Sequence, residues 1–377
     1  MNIVGFGMVF PIFPLFAQSF HASALDIGLM AAAFSIAQFF AAPVLGRFSD
    51  RFGRKPILAF SIGGSALAFL VASVAPNLFI LYLSRVINGV ATAGNFPIAT
   101  AYVADITSKE DRSKYVARVA GTFALGFIFG PVIGGLLGGF GFQWAFRIAA
   151  LVYLVNLAFV FVFLPESLKV RAEKIILREG LFNFKRVYHG LRGDFGALFF
   201  LLFCWSFYIS NFEVAIPLFT HHFFNWTTVQ NGLFFSVTGT TSAITQWFAL
   251  PYLTSKFGDK QVIIAGCLLM ILGQIFAPLV SSALFIGFFI VSITGSGLNR
   301  PTVNAVLSKA THTGQGATMG LAFSFESLGR VVGPIIAGFS IGSIGLKAPF
   351  YTTCVVLGAG LFFFLRAESK KNSSTSS

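Results

Sequence analysis

Apolar runs alternate with short polar breaks along the whole chain, falling at roughly 1–17, 27–46, 57–75, 77–101, 115–139, 144–164, 196–219, 230–253, 262–280, 283–307, 314–341 and 348–365. Most reach the ~20 residues that a helix needs to cross the hydrocarbon layer, and the stretch from Met1 to Ala17 is short for a span. The runs are continuously apolar instead of alternating at period two, which excludes barrel strands. Helices remain, because they satisfy every backbone polar group within the segment. Breaks such as Pro76-Asn77 and Gly141 close the runs. The pattern predicts an all-α membrane protein with about twelve transmembrane helices in two pseudo-symmetric six-helix bundles. Residues 1–165 form the first bundle, 166–195 a basic linker, 196–366 the second bundle, and 367–377 a disordered tail.

Internal repetition supports the two bundles. Phe13-Pro14-Leu15-Phe16 returns as Ile216-Pro217-Leu218-Phe219, and Ile36-Ala37-Gln38-Phe39-Phe40-Ala41 as Ile244-Thr245-Gln246-Trp247-Phe248-Ala249. The stretch Gly126–Gly135, GFIFGPVIGG, returns as Gly329–Gly338, GRVVGPIIAG. Parallel repeats of this kind place a substrate cavity between the halves and favour rocking of one half against the other.

Composition agrees. Of 377 residues 56% are hydrophobic and 10% charged, against ~25% charged in soluble domains. The net charge of +13 raises the question of a nucleic-acid partner, but its placement answers it. With the linker (Lys169, Arg171, Lys174, Arg178, Lys185, Arg186, Arg192) set in the cytoplasm, most of the 26 Lys and Arg fall on that side. The outer side keeps Arg147 and Lys347, and Arg85, Arg300 and Arg330 lie within spans. Such a bias orients the chain in a cell membrane with both termini cytoplasmic and faces anionic lipid, not nucleic acid. Apolar positions in the linker suggest a helix on the membrane surface; a solvated tether is the other reading. No cleavable signal peptide is expected. Cys204, Cys267 and Cys354 have no metal-ligand spacing and read as buried thiols. His221-His222 reads as a wet loop in preference to a metal site.

The sharpest local signal is Gly46-Arg47-Phe48-Ser49-Asp50-Arg51-Phe52-Gly53-Arg54-Lys55-Pro56, between spans two and three. A positive-inside anchor explains its cations but not an Asp among them. The run resembles the signature loop of the major facilitator superfamily, G-x-x-x-D-R-x-G-R-[KR], at Gly46, Asp50, Arg51, Gly53, Arg54 and Lys55. The resemblance implies a major-facilitator-type fold in which Arg54 pairs with an acid ending span four, the place of Asp105. Asp50 would face span eleven. Together they would clasp one conformation and release the other. Lys256-Phe257-Gly258-Asp259-Lys260 is a degenerate copy in the second half. Arg85 and Gly89 match the family's R-x-x-x-G in span four, where the arginine is implicated in proton coupling; snorkelling to the surface is the other reading of Arg85.

Gly126, Gly130, Gly134 and Gly138 line one helix stripe, with Pro131 and Gly135 beside it. Such a stripe permits close helix approach. It also resembles the antiporter motif of the twelve-span drug:proton antiporters, the tetracycline-efflux-like branch, which implies efflux. In that branch an acid usually stands where Asn2 stands here.

Glu213, Glu326 and Arg330 are further coupling candidates; Glu326 and Arg330, at i and i+4, are expected to neutralise each other. Gln38, Asn88, Asn95, Gln246, Asn299 and Arg300 are candidate cavity residues. No P-loop or hydrolase spacing occurs, so the chain is expected not to be an enzyme and to need no cofactor beyond a proton gradient. The expectation is alternating-access, proton-coupled efflux of small amphiphiles or drugs by a monomer, with protons and lipid as its other partners. Proton symport or uniport of sugars or metabolites, and a transporter-like receptor, remain alternatives.

Overall fold

The computed structural model describes residues 2–108, 111–168, 190–191, 193, 195–310 and 315–375. Seven of the linker's expected cations, Lys169 to Arg192, and its surface helix lie outside the described residues. Among the described residues there is no strand. The first half contains α1 (Asn2–Val9), α2 (Phe13–Gln18), α3 (Ala24–Phe52), α4 (Arg54–Ser73), α5 (Leu78–Thr92), α6 (Asn95–Ile106), α7 (Arg112–Gly139) and α8 (Phe142–Phe163). The second contains α9 (Gly196–Phe224), α10 (Thr228–Ile244), a π-helical turn (Thr245–Ala249), α11 (Leu250–Phe257), α12 (Asp259–Phe276), α13 (Ser282–Ala310), α14 (Gln315–Ser343) and α15 (Ala348–Thr375).

Nine helices among the described residues are long and apolar enough to cross a membrane. The other three expected spans are present but interrupted. The first breaks between α1 and α2, where Pro11 has no N–H to donate. The fourth breaks between α5 and α6, ahead of Pro97, and the eighth passes through the π-helical turn before Pro251. Helix boundaries follow local chemistry. The Asn77 side chain accepts from the Ile80 N–H at 3.1 Å and caps α5. The last helix is described to Thr375, where the sequence predicts a disordered tail; no Gly or Pro after Gly360 stops it.

The chain divides into two compact units. The first comprises residues 1–23, 29–182 and 220–237, and the second 24–28, 183–219 and 238–377. Within the first, the glycine stripe of α7 packs on α1. A Cβ added to Gly130 would lie 2.8 Å from Gly7 Cα and Val4 O, and one on Gly134 would strike the backbone of Met8. Gly135 meets the start of α10, where Thr228 Oγ1 donates to the Gly135 carbonyl at 2.9 Å. The second unit repeats this internal arrangement. Gly329 and Gly333 of α14 lie against Phe203–Ser210 of α9, and Gly338 meets Ala24 and Leu25. The repeated Gly-Pro stretches are therefore equivalent close-packing seams, in which small residues allow backbones to touch.

Aromatic packing fills the rest. Phe16, Phe146, Phe69 and Tyr153 cluster in the first unit, and Phe199 stacks on Phe325 at 5.5 Å in the second. Cys204 and Cys267 are buried and Cys354 is half-buried; none forms a disulfide. Many other phenylalanines, among them Phe140, Phe163 and Phe248, are exposed. Outward-facing apolar side chains suit lipid, where they cost nothing.

Candidate functional site

Two polar constellations stand out, one in each unit. The first is built on the turn between α3 and α4. Gly53 ends α3 with φ +113°, a conformation that a side chain would strain. Directly after it, Arg54 reaches three groups. Its Nε donates to Asp105 Oδ2 at 3.1 Å, and its Nη1 donates to Asp50 Oδ1 at 2.5 Å and to Ser49 Oγ at 2.7 Å. Asp105 closes α6, the second segment of the fourth span. The turn thus ties the ends of the second, third and fourth spans into one hydrogen-bonded knot.

Sequence reasoning missed a further member. Glu166, just after α8, accepts from the backbone N–H of Arg54 at 2.8 Å and of Lys55 at 3.1 Å. It caps α4 from outside the helix, supplying the acceptor that free N-terminal amides require. A Cβ on Gly53 would collide with this carboxylate, so Gly53 is needed for space as well as for φ. Burial alone would raise the Glu166 carboxyl, but the N–H groups of Leu168, Arg54, Lys55 and Ser167 outweigh it and hold it below its usual range. Ser167 Oγ donates to Asp105 Oδ2, Tyr102 OH to the Pro165 carbonyl and Lys55 Nζ to the Phe161 carbonyl. The end of the sixth span therefore belongs to the same knot. Gly46, by contrast, has nothing within 4 Å of an added Cβ.

The degenerate second copy forms its own pairs. After Gly258, at φ +82°, Asp259 accepts from Lys309 Nζ at 2.7 Å and Lys260 pairs with Glu368 at 3.3 Å. A cavity of about 1320 Å³ lies beside these pairs, lined among others by Lys260, Arg366, Phe200 and Phe364.

The second constellation is in the interior of the second unit. Glu326 does not pair with Arg330, as its i, i+4 spacing suggests. It is 4% exposed and accepts two bonds from Arg300 of α13, Nε to Oε1 at 2.8 Å and Nη2 to Oε2 at 3.1 Å. The partner on the facing helix wins because it offers a bidentate fork. Arg330 instead donates to Ser327 Oγ at 3.1 Å and lies over the Phe323 ring. Glu326, Arg300 and Glu213 all act electrostatically on Arg330. The Arg300 guanidinium rests 4.7 Å from the Trp205 ring, and Trp205 Nε1 donates to Ser296 Oγ at 2.8 Å.

The remaining sequence candidates scatter. Arg85 lies within cation–π distance of Phe13 and Phe34, at 4.3 and 4.7 Å, and Gly89 lets α5 approach Phe34 and Ala37 of α3. Gln38 donates to Thr92 Oγ1, Gln246 to Ser242 Oγ, and Asn2 accepts from Asn156 at 2.6 Å. Asn88 and Asn95 each keep a buried Oδ1 that no described residue bonds. Asn299, expected to line a cavity, is instead 2% exposed and bonded to Cys267 of α12. Gln246 is exposed on the π-helical turn. His221 bonds the Trp226 carbonyl.

Comparison with known proteins adds the family. The family model described as Major Facilitator Superfamily matches residues 1–314 and 241–377. The chain is 29% identical to Multidrug resistance protein 2 of Bacillus subtilis, over 98% of this chain and 93% of that protein. It is 31% identical to the class C tetracycline resistance protein of Escherichia coli, over 89% and 86%. Among solved structures, the human organic anion transporter MFSD10 aligns with TM-score 0.70 at 24% identity, covering 96% of each chain. A bacterial homologue of the human lysosomal transporter Spinster aligns with TM-score 0.80 at 15% identity, covering 98% of this chain and 94% of that one.

Proposed function

The chain belongs to the major facilitator superfamily, and on that premise we propose that it is a proton-coupled exporter of small amphiphilic molecules, working by alternating access. It is a membrane-spanning transporter and not an enzyme. The observation that carries the finer reading is the Gly126-Gly130-Pro131-Gly134 stripe packed on α1, the motif through which the sequence resembles drug:proton antiporters. The full-length similarity to proteins named for multidrug and tetracycline resistance supports it.

In this reading the Asp50–Arg54–Asp105–Glu166 knot stabilises one conformation and must open for the other, so that its strength sets their relative populations. The Lys and Arg bias orients both termini to the cytoplasm of a cell membrane, and the monomer is the working unit. Glu213, near the outer third of α9, is the proposed proton carrier, with Arg85 as a positive group tuning the first half. The half-buried amides of Gln38 and Asn95 supply polar contacts to substrate.

Reconstituted proteoliposomes with an imposed ΔpH test this. Antiport moves substrate against the proton flux, and symport moves it with the flux, so the sign of substrate movement decides. Glu213→Gln is expected to abolish pH-driven movement while leaving expression and substrate exchange intact; unimpaired pH-driven transport would sink the assignment to Glu213.

A further inference from the structure

We infer that Arg300, held by Glu326 and resting on Trp205, is the recognition point for the carboxylate of an aromatic amphiphile; this names a substrate class for the proposed exporter and rests on that reading. Three observations converge. The first is depth. Counting 1.5 Å per residue, Trp205, Arg300 and Glu326 each lie about 14–17 Å from the end of their helices that carries Gly196, Ala310 and Gln315. They meet at one level, about a third of the way along these 29-residue helices. The second is accessibility. The Glu326 side chain is 5% exposed while that of Arg300 is 43% exposed. A guanidinium at that depth is costly in hydrocarbon and faces water or protein, so its open edge addresses a polar route. The third is hydrogen-bonding capacity. Glu326 occupies Nε and Nη2, and Nη1 donates to no described residue. A guanidinium fork accommodates two carboxylates, as Arg54 does with Asp50 and Asp105 in the first unit.

The surroundings define the ligand. The guanidinium lies over the half-buried Trp205 ring, whose own N–H is taken by Ser296, so the surface beside the open donor edge is aromatic and has no free donor. An aromatic body therefore packs against that surface while its carboxylate meets Arg300. Among the described residues of this unit, Glu213 of α9, Arg300 of α13 and Glu326 and Arg330 of α14 are charged groups set within otherwise apolar helices. Pro301, which follows Arg300, removes the helical N–H that the Gly297 carbonyl would otherwise accept. The backbone at the site is correspondingly more polar than in a regular span.

The test is equilibrium binding of pyrenebutyrate and its methyl ester to the purified full chain in nanodiscs. The wild type is expected to bind the acid at least tenfold more tightly than the ester. Arg300→Gln is expected to remove that preference and leave ester affinity unchanged. Arg300→Lys, which keeps the charge but loses the fork, is expected to retain part of it. Arg147→Gln, altering an exposed arginine over Trp144, is expected to change nothing. Equal binding of acid and ester by the wild type, or an undiminished preference in folded Arg300→Gln, would overturn the inference. If Arg300→Gln does not fold, a variant keeping only Trp205 among the tryptophans replaces it. The acid must then quench Trp205 emission saturably and more strongly than the ester, and quenching that does not saturate, or is equal for both, overturns the inference. Binding needs no gradient, so the two readings fail separately. Acid preference without ΔpH-driven flux sinks the transport reading alone, and flux without acid preference sinks this one.

Discussion

Arg54 and Asp259 stand at the same place in their repeats, each the first residue after a positive-φ glycine, yet they carry opposite charges. Their partners are reversed to match: Arg54 bonds Asp105 near the end of the fourth span, and Asp259 bonds Lys309 near the end of the tenth. The second pairing in each knot is also repeated, with Glu166 on the amides of Arg54 and Lys55 and Glu368 on Lys260. The copy that looks degenerate in sequence keeps the tie and exchanges its polarity.

Charge reversal across that tie is therefore expected to be recoverable. Lys309→Asp sets two carboxylates together and is expected to lower transport several-fold, and the double variant Asp259→Lys/Lys309→Asp is expected to restore it. Lys309 is mostly exposed, so the change in stability stays within about 1 kcal/mol. Transport rates and melting temperatures of the three proteins check this; a double variant no better than the single one refutes the pairing.

Gly53→Ala is expected to destabilise the first knot by about 1–3 kcal/mol through its backbone conformation alone, with an added cost from displacing Glu166. In a Glu166→Ala background that added cost disappears, so the two substitutions are expected to be non-additive. A double-mutant cycle on thermal unfolding measures the coupling, and strict additivity contradicts it.

Glu166 also gives the knot an acid limit. Its carboxyl is held below the usual range, so its stabilising effect is complete above the unfolded-chain value of about 4.3. That effect is lost as pH falls through the lower, folded value. Glu166→Gln is expected to melt earlier than wild type at neutral pH, with the gap closing below about pH 4. A gap that stays constant into that acid range would show that the charge is irrelevant.

Along α7, Gly134→Ala drives a methyl into the backbone of Met8 and is expected to cost about 1–3 kcal/mol and to reduce the yield of folded protein. Gly121→Ala, on the same helix with nothing within 4 Å, is expected to be neutral or to stabilise by about 0.5–1 kcal/mol. Melting temperatures in one detergent compare the two.

The span pattern and the Gly53 turn were legible because hydropathy and glycine placement are local properties of the chain. Pro76-Asn77 and Gly141 marked breaks for the same reason; the break at Pro11, inside the first run, did not stand out. Glu326 was misread because its spacing to Arg330 is visible in sequence, whereas Arg300 approaches from another helix and offers two donors. Asn299 was misread likewise: a mid-span amide looks the same in sequence whether it faces a cavity or Cys267. Glu166 had a signal that went unused. Glu-Ser follows the sixth span at Glu166-Ser167 and the twelfth at Glu368-Ser369, a short repeat in register with the longer ones.

The burial of the cysteines has a practical meaning for spectroscopy. Cys204 and Cys267 are each 0% exposed, and the half-buried Cys354 lies within the apolar part of α15. A maleimide reagent from water finds the native thiols shielded, so a single cysteine placed on either side of the Gly53 or Gly258 turn will take the label first. The unaltered chain is then its own background for distance measurements between paired labels.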